Sequence, residues 1–150
     1  MSEMIDPVAS AMSEFRLRRR VHFYEADPAG IVHFSWFPRY MEEAEHALWR
    51  AAGLSIAPAN SEFAFPRVAM AFDFHRPLRF EDEFDVQIRI TAIGRSSLSY
   101  TCMVSHEGQA VATGRLTIAC VQRGEGDRMS AVPIPDHIRA RFAVAPEGGA

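Results

Sequence analysis

The chain has 150 residues, nearly half of them apolar and 23% charged, with a formal net charge of −3, which suits one domain with a real core. That balance excludes the basic surplus of a nucleic-acid-binding protein. All 16 basic residues are arginines, so a lysine Schiff base, a lysine-held pyridoxal phosphate and a phosphate-loop lysine are excluded, and phosphates must be gripped by arginine or backbone N–H groups.

Met1 to Glu14 carries three acidic residues and no sustained apolar run, so it reads as neither a signal peptide nor an anchor. Nothing later is long enough to span a bilayer, and a cytoplasmic protein is expected. Residues 1–13 read as a flexible leader, 14–144 as one domain, and 145–150, with Pro146, Gly148 and Gly149, as a flexible tail.

From Phe15 to Phe23 the sequence alternates, with Phe15, Leu17, Val21 and Phe23 against Arg16, Arg18, Arg20 and His22. Period two predicts a strand with one wet face, and Arg19 is the exception on the apolar side. Asp27, Pro28, Ala29 and Gly30 then break the chain. Phe37, Met41, Ala44, Leu48 and Ala51 recur at helical spacing. Ser35 suits the cap, Pro38 the first turn and Gly53 the stop, predicting a helix of about 17 residues and roughly 25 Å.

Four strands follow. Val68 to Phe74 is apolar and ends at Arg76-Pro77. Phe84, Val86, Ile88 and Ile90 alternate with polar residues, as do Leu98, Tyr100, Cys102 and Val104. Glu107-Gly108 suits a hairpin turn into a strand from Gln109 to Val121, and a short helix is expected after Pro135. Cys102 and Cys120 lie on apolar alternations, far apart, and read as buried free thiols rather than a disulfide or zinc site. Strand, long helix and four strands joined by short turns predict an antiparallel α+β sandwich of two layers.

Asp27 sits at the strand-to-helix junction, where a rigid scaffold commonly carries function and a helix start offers free N–H groups. It reads either as a residue that turns or caps the chain or as a carboxylate facing a carbonyl polarised by an N–H of the same turn. The run Asp27-Pro28-Ala29-Gly30-Ile31-Val32, followed by an aromatic and a helix, resembles the active-site segment of the 4-hydroxybenzoyl-CoA thioesterase family. Phe72, Pro77, Phe80 and Asp82, leading to Gly94-Arg95-Ser96-Ser97, continue the similarity, which covers residues 15–122.

That resemblance implies a hotdog fold, a five-stranded antiparallel sheet wrapped around one long central helix, in homodimers or homotetramers with sites at subunit interfaces. It implies that Asp27 attacks the thioester carbon or activates water, and that the Phe34 backbone N–H polarises the carbonyl. His33 either orients water or Asp27, or is simply hydrogen-bonded near the helix start. Gly30, Trp36, Arg95 and Ser96 are the expected substrate-binding residues. Arg95 is a candidate phosphate contact or a surface charge. Trp36, Phe37, Phe63 and Phe65 suit an acyl or aryl pocket or the core. Glu42 and Glu43 read as a solvated face or an interface, although another hotdog class uses a helix glutamate.

Glu43 and His46 have the spacing of a di-iron motif but only one copy, and no nucleophile elbow, dinucleotide loop or zinc spacing appears. The expected activity is hydrolysis of an acyl- or aryl-CoA thioester to free acid and coenzyme A, without metal or cofactor. The alternative is a non-catalytic acyl-CoA-binding module. A hotdog dehydratase would need a different histidine-bearing segment. Exposed sheet edges also predict self-association.

Overall fold

A computed structural model of the chain describes residues 11–124, 126 and 128–147. The alternating segments form β1 (Glu14–Arg20), β3 (Arg67–Phe74), β4 (Glu83–Ile93), β5 (Ser97–His106) and β6 (Gln109–Ala119). These pair antiparallel in the order β1-β4-β5-β6-β3, with β1 and β3 as edges. A long helix, α1 (Trp36–Ala51), packs on one face. This is the hotdog arrangement expected from the sequence.

The alternation has a direct physical cause, since one face of the sheet meets the helix and the other meets water. Phe84, Val86, Ile88 and Ile90 of β4, with Leu98, Tyr100, Cys102 and Val104 of β5, are each at most 4% exposed. Against them lie Phe37, Tyr40, Met41, Ala44 and Leu48 of α1, all within the same core. The polar ends of the large aromatics are satisfied there, because Trp49 Nε1 donates to the Tyr100 hydroxyl at 2.9 Å.

The helix has 16 residues and ends in a glycine cap: Gly53 has φ +81°, its N–H donates to Arg50, and the Leu54 N–H donates to Trp49. Its buried face differs from the predicted stripe. Ala51 is exposed, while Glu45 is fully buried. Arg67, at the start of β3, reaches over to Glu45 (Nη1 to Oε2, 3.2 Å) and also to Glu42 at 3.0 Å, so an acid takes a core position without an uncompensated charge. Ser35 precedes the helix but its hydroxyl makes no capping bond.

β1 stops three residues short of the expected Phe23. The Val21 N–H donates to Asp82, the chain reverses through a single 3-10 turn at Phe23–Glu25, and Phe23 is left 76% exposed. The last long strand ends at Ala119 because the Cys120 N–H turns to Ser96. Beyond it β7 (Val121–Arg123) joins β2 (Phe63–Ala64) and β8 (Met129–Ala131) in a small second sheet, unpredicted because strands of two or three residues show no period. The expected short helix is α2 (Asp136–Arg139).

Residues 1–10 and 148–150 of the expected leader and tail lie outside the described residues. Within them, the Met12 N–H donates to Arg141 at 2.9 Å and the Ala145 N–H to Ile90 at 2.8 Å. Both cysteines are buried free thiols. Among the described residues no helix is long and apolar enough to cross a membrane.

Candidate active site

The connection from β1 to α1 is a tight loop with a hairpin-like closure. Ala26 and Val32 form an antiparallel bridge, the Asp27 N–H donates to Ile31 at 2.8 Å, and the Gly30 N–H returns to the Asp27 carbonyl at 2.9 Å. Pro28 takes the second turn position, and Gly30, at φ +82°, takes the last, which needs left-handed backbone. Asp27 Oδ1 accepts the Ala29 N–H at 2.8 Å and the Ile31 N–H at 3.4 Å. The other carboxylate oxygen accepts nothing from the described residues.

This carboxylate opens onto a cleft of about 460 Å³. Its walls are Asp27, Ile31, Val32, His33, Phe34 and Phe37 on one side, with Phe74, His75, Arg76, Pro77 and Leu78 on the other. The Phe37 and Phe74 rings meet edge to face at 5.3 Å. The Phe34 N–H has no acceptor among the described residues, and its direction is set by its neighbours. The His33 N–H donates to Glu25 at 2.9 Å and the Trp36 N–H donates to the His33 carbonyl at 3.0 Å. That N–H thus stands at the positive end of α1, available to a ligand oxygen. His33 Nδ1 pairs with the Ser35 hydroxyl at 2.8 Å, which explains why Ser35 does not cap the helix.

Glu25, which sequence reasoning missed, is fully buried beneath this loop. Its Oε1 accepts the Arg19 Nη1 at 2.9 Å, the His22 N–H at 2.8 Å and the Tyr40 hydroxyl at 2.9 Å. Oε2 makes an ion pair with Arg19 Nη2 at 2.7 Å, off the line that a hydrogen bond requires. Burial pushes the Glu25 carboxyl up, but the Arg19 guanidinium, the His22 amide and the Tyr40 hydroxyl outweigh it and hold it below the usual carboxylate range. Burial and the Glu25 carboxylate push the Tyr40 hydroxyl up. Arg19, the misfit on the apolar side of its strand, was the one signal that an inward acid partner existed.

The other expected residues divide by position. Gly30 shapes the loop but does not line the cleft. Trp36 lies outside it, with Tyr24 at 5.4 Å and the Arg39 guanidinium 4.9 Å above its ring. Phe65 packs on Trp49 at 5.0 Å, and Phe63 is half-buried beside it. Glu42 and Glu43 are exposed and ion-paired to Arg67 and Arg19. Arg95 and Ser96 occupy the β4–β5 turn, whereas the Asp27 loop, tied to Leu78 through the Val32 N–H, lies towards the opposite end of β4, a strand about 33 Å long. One protomer therefore does not bring them to Asp27. Other depressions among the described residues, about 370 and 360 Å³ on the outer sheet face, about 630 Å³ between α1 and residues 56–67, and about 480 Å³ between residues 53–65 and α2, do not contain Asp27.

Residues 21–142 match the family model described as the thioesterase-like superfamily. The chain is 30% identical to a 1,4-dihydroxy-2-naphthoyl-CoA hydrolase of Thermosynechococcus vestitus, over 87% of this chain and 89% of that one. It is 25% identical to the acyl-CoA thioester hydrolase YbgC of Escherichia coli O6:H1, over 85% of this chain and 95% of that one. Among solved structures, a variant of 4-hydroxybenzoyl CoA thioesterase complexed with 4-hydroxybenzoyl CoA superposes with a TM-score of 0.76 at 20% identity, covering 86% of this chain and 99% of that one.

Proposed function

Because the chain belongs to the thioesterase-like superfamily, we propose that Asp27 is the carboxylate with which it hydrolyses a coenzyme A thioester, aryl groups being preferred. The enzyme is a thioester hydrolase that yields a free acid and coenzyme A. The observation that carries the role of Asp27 is a carboxylate oriented by two amides of its own loop, sharing a cleft with an unpaired N–H at a helix start.

The thioester carbonyl oxygen would accept the Phe34 N–H, and Asp27, through its free oxygen, would attack the carbon or activate the attacking water. Negative charge then develops on the carbonyl oxygen, where a fixed donor contributes about 10²–10³ in rate. The carbon–sulfur bond breaks and the thiolate of coenzyme A leaves; on the route by direct attack, water then hydrolyses the acyl-Asp27 anhydride, which frees the acid and restores the carboxylate. His33 flanks this centre and would order the water.

The preference for an aryl group is supported by the Phe34, Phe37 and Phe74 walls, which suit a flat ring, and by the naphthoyl-CoA substrate named for the cyanobacterial relative. A homodimer or homotetramer is proposed on two grounds. The β3 edge exposes Val68, Met70 and Phe74, at 59%, 43% and 52%. A second protomer would also supply Arg95 and Ser96 to a site they cannot reach within one chain. With two reduced thiols, the cytoplasm is the proposed compartment.

Thiol release measured on short-chain, long-chain and aromatic CoA thioesters tests this reading. Turnover is expected to be highest on the aromatic members. Faster turnover on long aliphatic chains would contradict the aryl preference, and tight binding with no thiol released would favour the acyl-CoA-binding module.

A further inference from the structure

We propose that Glu25 is a positioning residue for the reaction, fixing the Asp27 carboxylate and the Phe34 N–H relative to one another from beneath the loop. This inference rests on the role given to Asp27 above.

Glu25 stands where the two arms of the catalytic loop meet. In sequence it is two residues before Asp27. Through its backbone carbonyl it accepts the N–H of His33, the residue preceding Phe34, at 2.9 Å. One residue therefore governs both the arm that bears the carboxylate and the arm that bears the amide. Its side chain then ties that junction to the body of the protein in two directions: Arg19 comes from β1 and Tyr40 from the second turn of α1. Arg19 is braced in turn by Glu43 at 2.8 Å, and its guanidinium lies 4.7 Å from the centre of the Tyr40 ring.

Fold stability alone does not account for this arrangement. A buried ion pair is costly to desolvate, and apolar residues of similar volume often replace one with no loss or with a gain. What a carboxylate accepting three donors from β1, α1 and its own turn supplies is direction. An apolar contact tolerates many orientations, whereas these hydrogen bonds admit few. In a site where an error of 1 Å costs on the order of 100-fold, that restriction is functional. Glu25 is itself fully buried, so it meets no substrate and acts only through the loop it holds.

Glu25→Gln keeps the volume and removes the charge facing Arg19. In the full-length protein its kcat is expected to fall about 10- to 100-fold with KM within about twofold. Tyr40→Phe removes one of the three donors and should lower kcat in the same sense but less. Since both act through one cluster, Tyr40→Phe should add little to Glu25→Gln. A kcat unchanged in folded Glu25→Gln, a loss confined to KM, or fully additive losses in the double variant would overturn the proposal. If Glu25→Gln does not fold, Tyr40→Phe decides alone: unchanged kcat overturns the proposal and a selective kcat loss supports it. The role of Asp27 fails separately, through wild-type turnover in Asp27→Asn.

Discussion

Replacing Gly114 by alanine is expected to destabilise the protein and disturb the cleft from behind. Gly114 lies in β6 opposite Phe72 of β3. A Cβ built there would stand 2.6 Å from Phe72 Cε1, 2.9 Å from Cζ and 3.0 Å from Cδ1. Favourable carbon contacts begin at about 3.5 Å, so the ring must retreat by about 1 Å. Its retreat is obstructed, because it stacks on Phe74 at 6.1 Å and lies 6.5 Å from Phe37, both walls of the cleft. Gly114 is not in the left-handed region, so alanine adds no backbone strain there and gains about 0.5–1 kcal/mol from the unfolded chain. Overpacking costs about 1–3 kcal/mol, leaving a net loss of up to about 2.5 kcal/mol, about 1 kcal/mol at mid-range, and a Tm lower by about 2–4 °C at that mid-range. Thermal melting followed by calorimetry reads this directly. Adding Phe72→Leu should recover part of the loss, because the clash is the cause. An unchanged or raised Tm in Gly114→Ala, or strictly additive losses in the double variant, would refute the steric reasoning.

Acid stability follows from Glu25. Its carboxyl is held lower in the folded state than in the unfolded chain, so its stabilisation is present above the unfolded value near about 4.3 and is lost as pH falls through the folded value. In denaturant titrations the deficit of Glu25→Gln, about 1–3 kcal/mol at pH 7, should shrink towards pH 3, and a deficit independent of pH would contradict this. Burial pushes the Cys102 thiol up to about 12 and raises Cys120 as well, so native protein at pH 8 should consume no thiol reagent over minutes, while denatured protein should consume it at both. Rapid labelling of native protein would count against that burial. Met70→Arg, on the exposed β3 edge, should shift the protein to a smaller species by analytical ultracentrifugation, and unchanged sedimentation would remove this edge from the interface.

The sheet was legible where one face meets the helix and the other meets water, as in β4 and β5, because a two-residue period then maps directly onto burial. The end of α1 was legible for a different reason: Gly53 alone suits the left-handed residue that the cap requires. Glu45 lies outside the predicted apolar stripe because hydropathy cannot anticipate Arg67, whose approach from the far edge strand turns an acid inward. The same limit hid Glu25. Arg19 marked an anomaly in the pattern, but its partner is chosen by the chain reversal at Phe23–Glu25, which periodicity does not contain. Asp27 is intermediate: spacing alone left it open between a turn residue and a reactive carboxylate, and its own loop amides do bind Oδ1 as a turn residue requires. Trp36 and Gly30 were expected at the substrate, and neither lines the cleft: Trp36 faces Tyr24 and Arg39, and Gly30 shapes the turn.

The most direct test is turnover of an aromatic CoA thioester by Asp27→Asn, read as thiol release, with binding of the same thioester followed by calorimetry. An amide keeps the shape of the carboxylate but neither attacks a thioester nor accepts a proton from water. The predicted result is a loss of about 10²–10⁴ in kcat, with substrate affinity and melting temperature near those of the wild type. Turnover within a few-fold of the wild type would contradict the account.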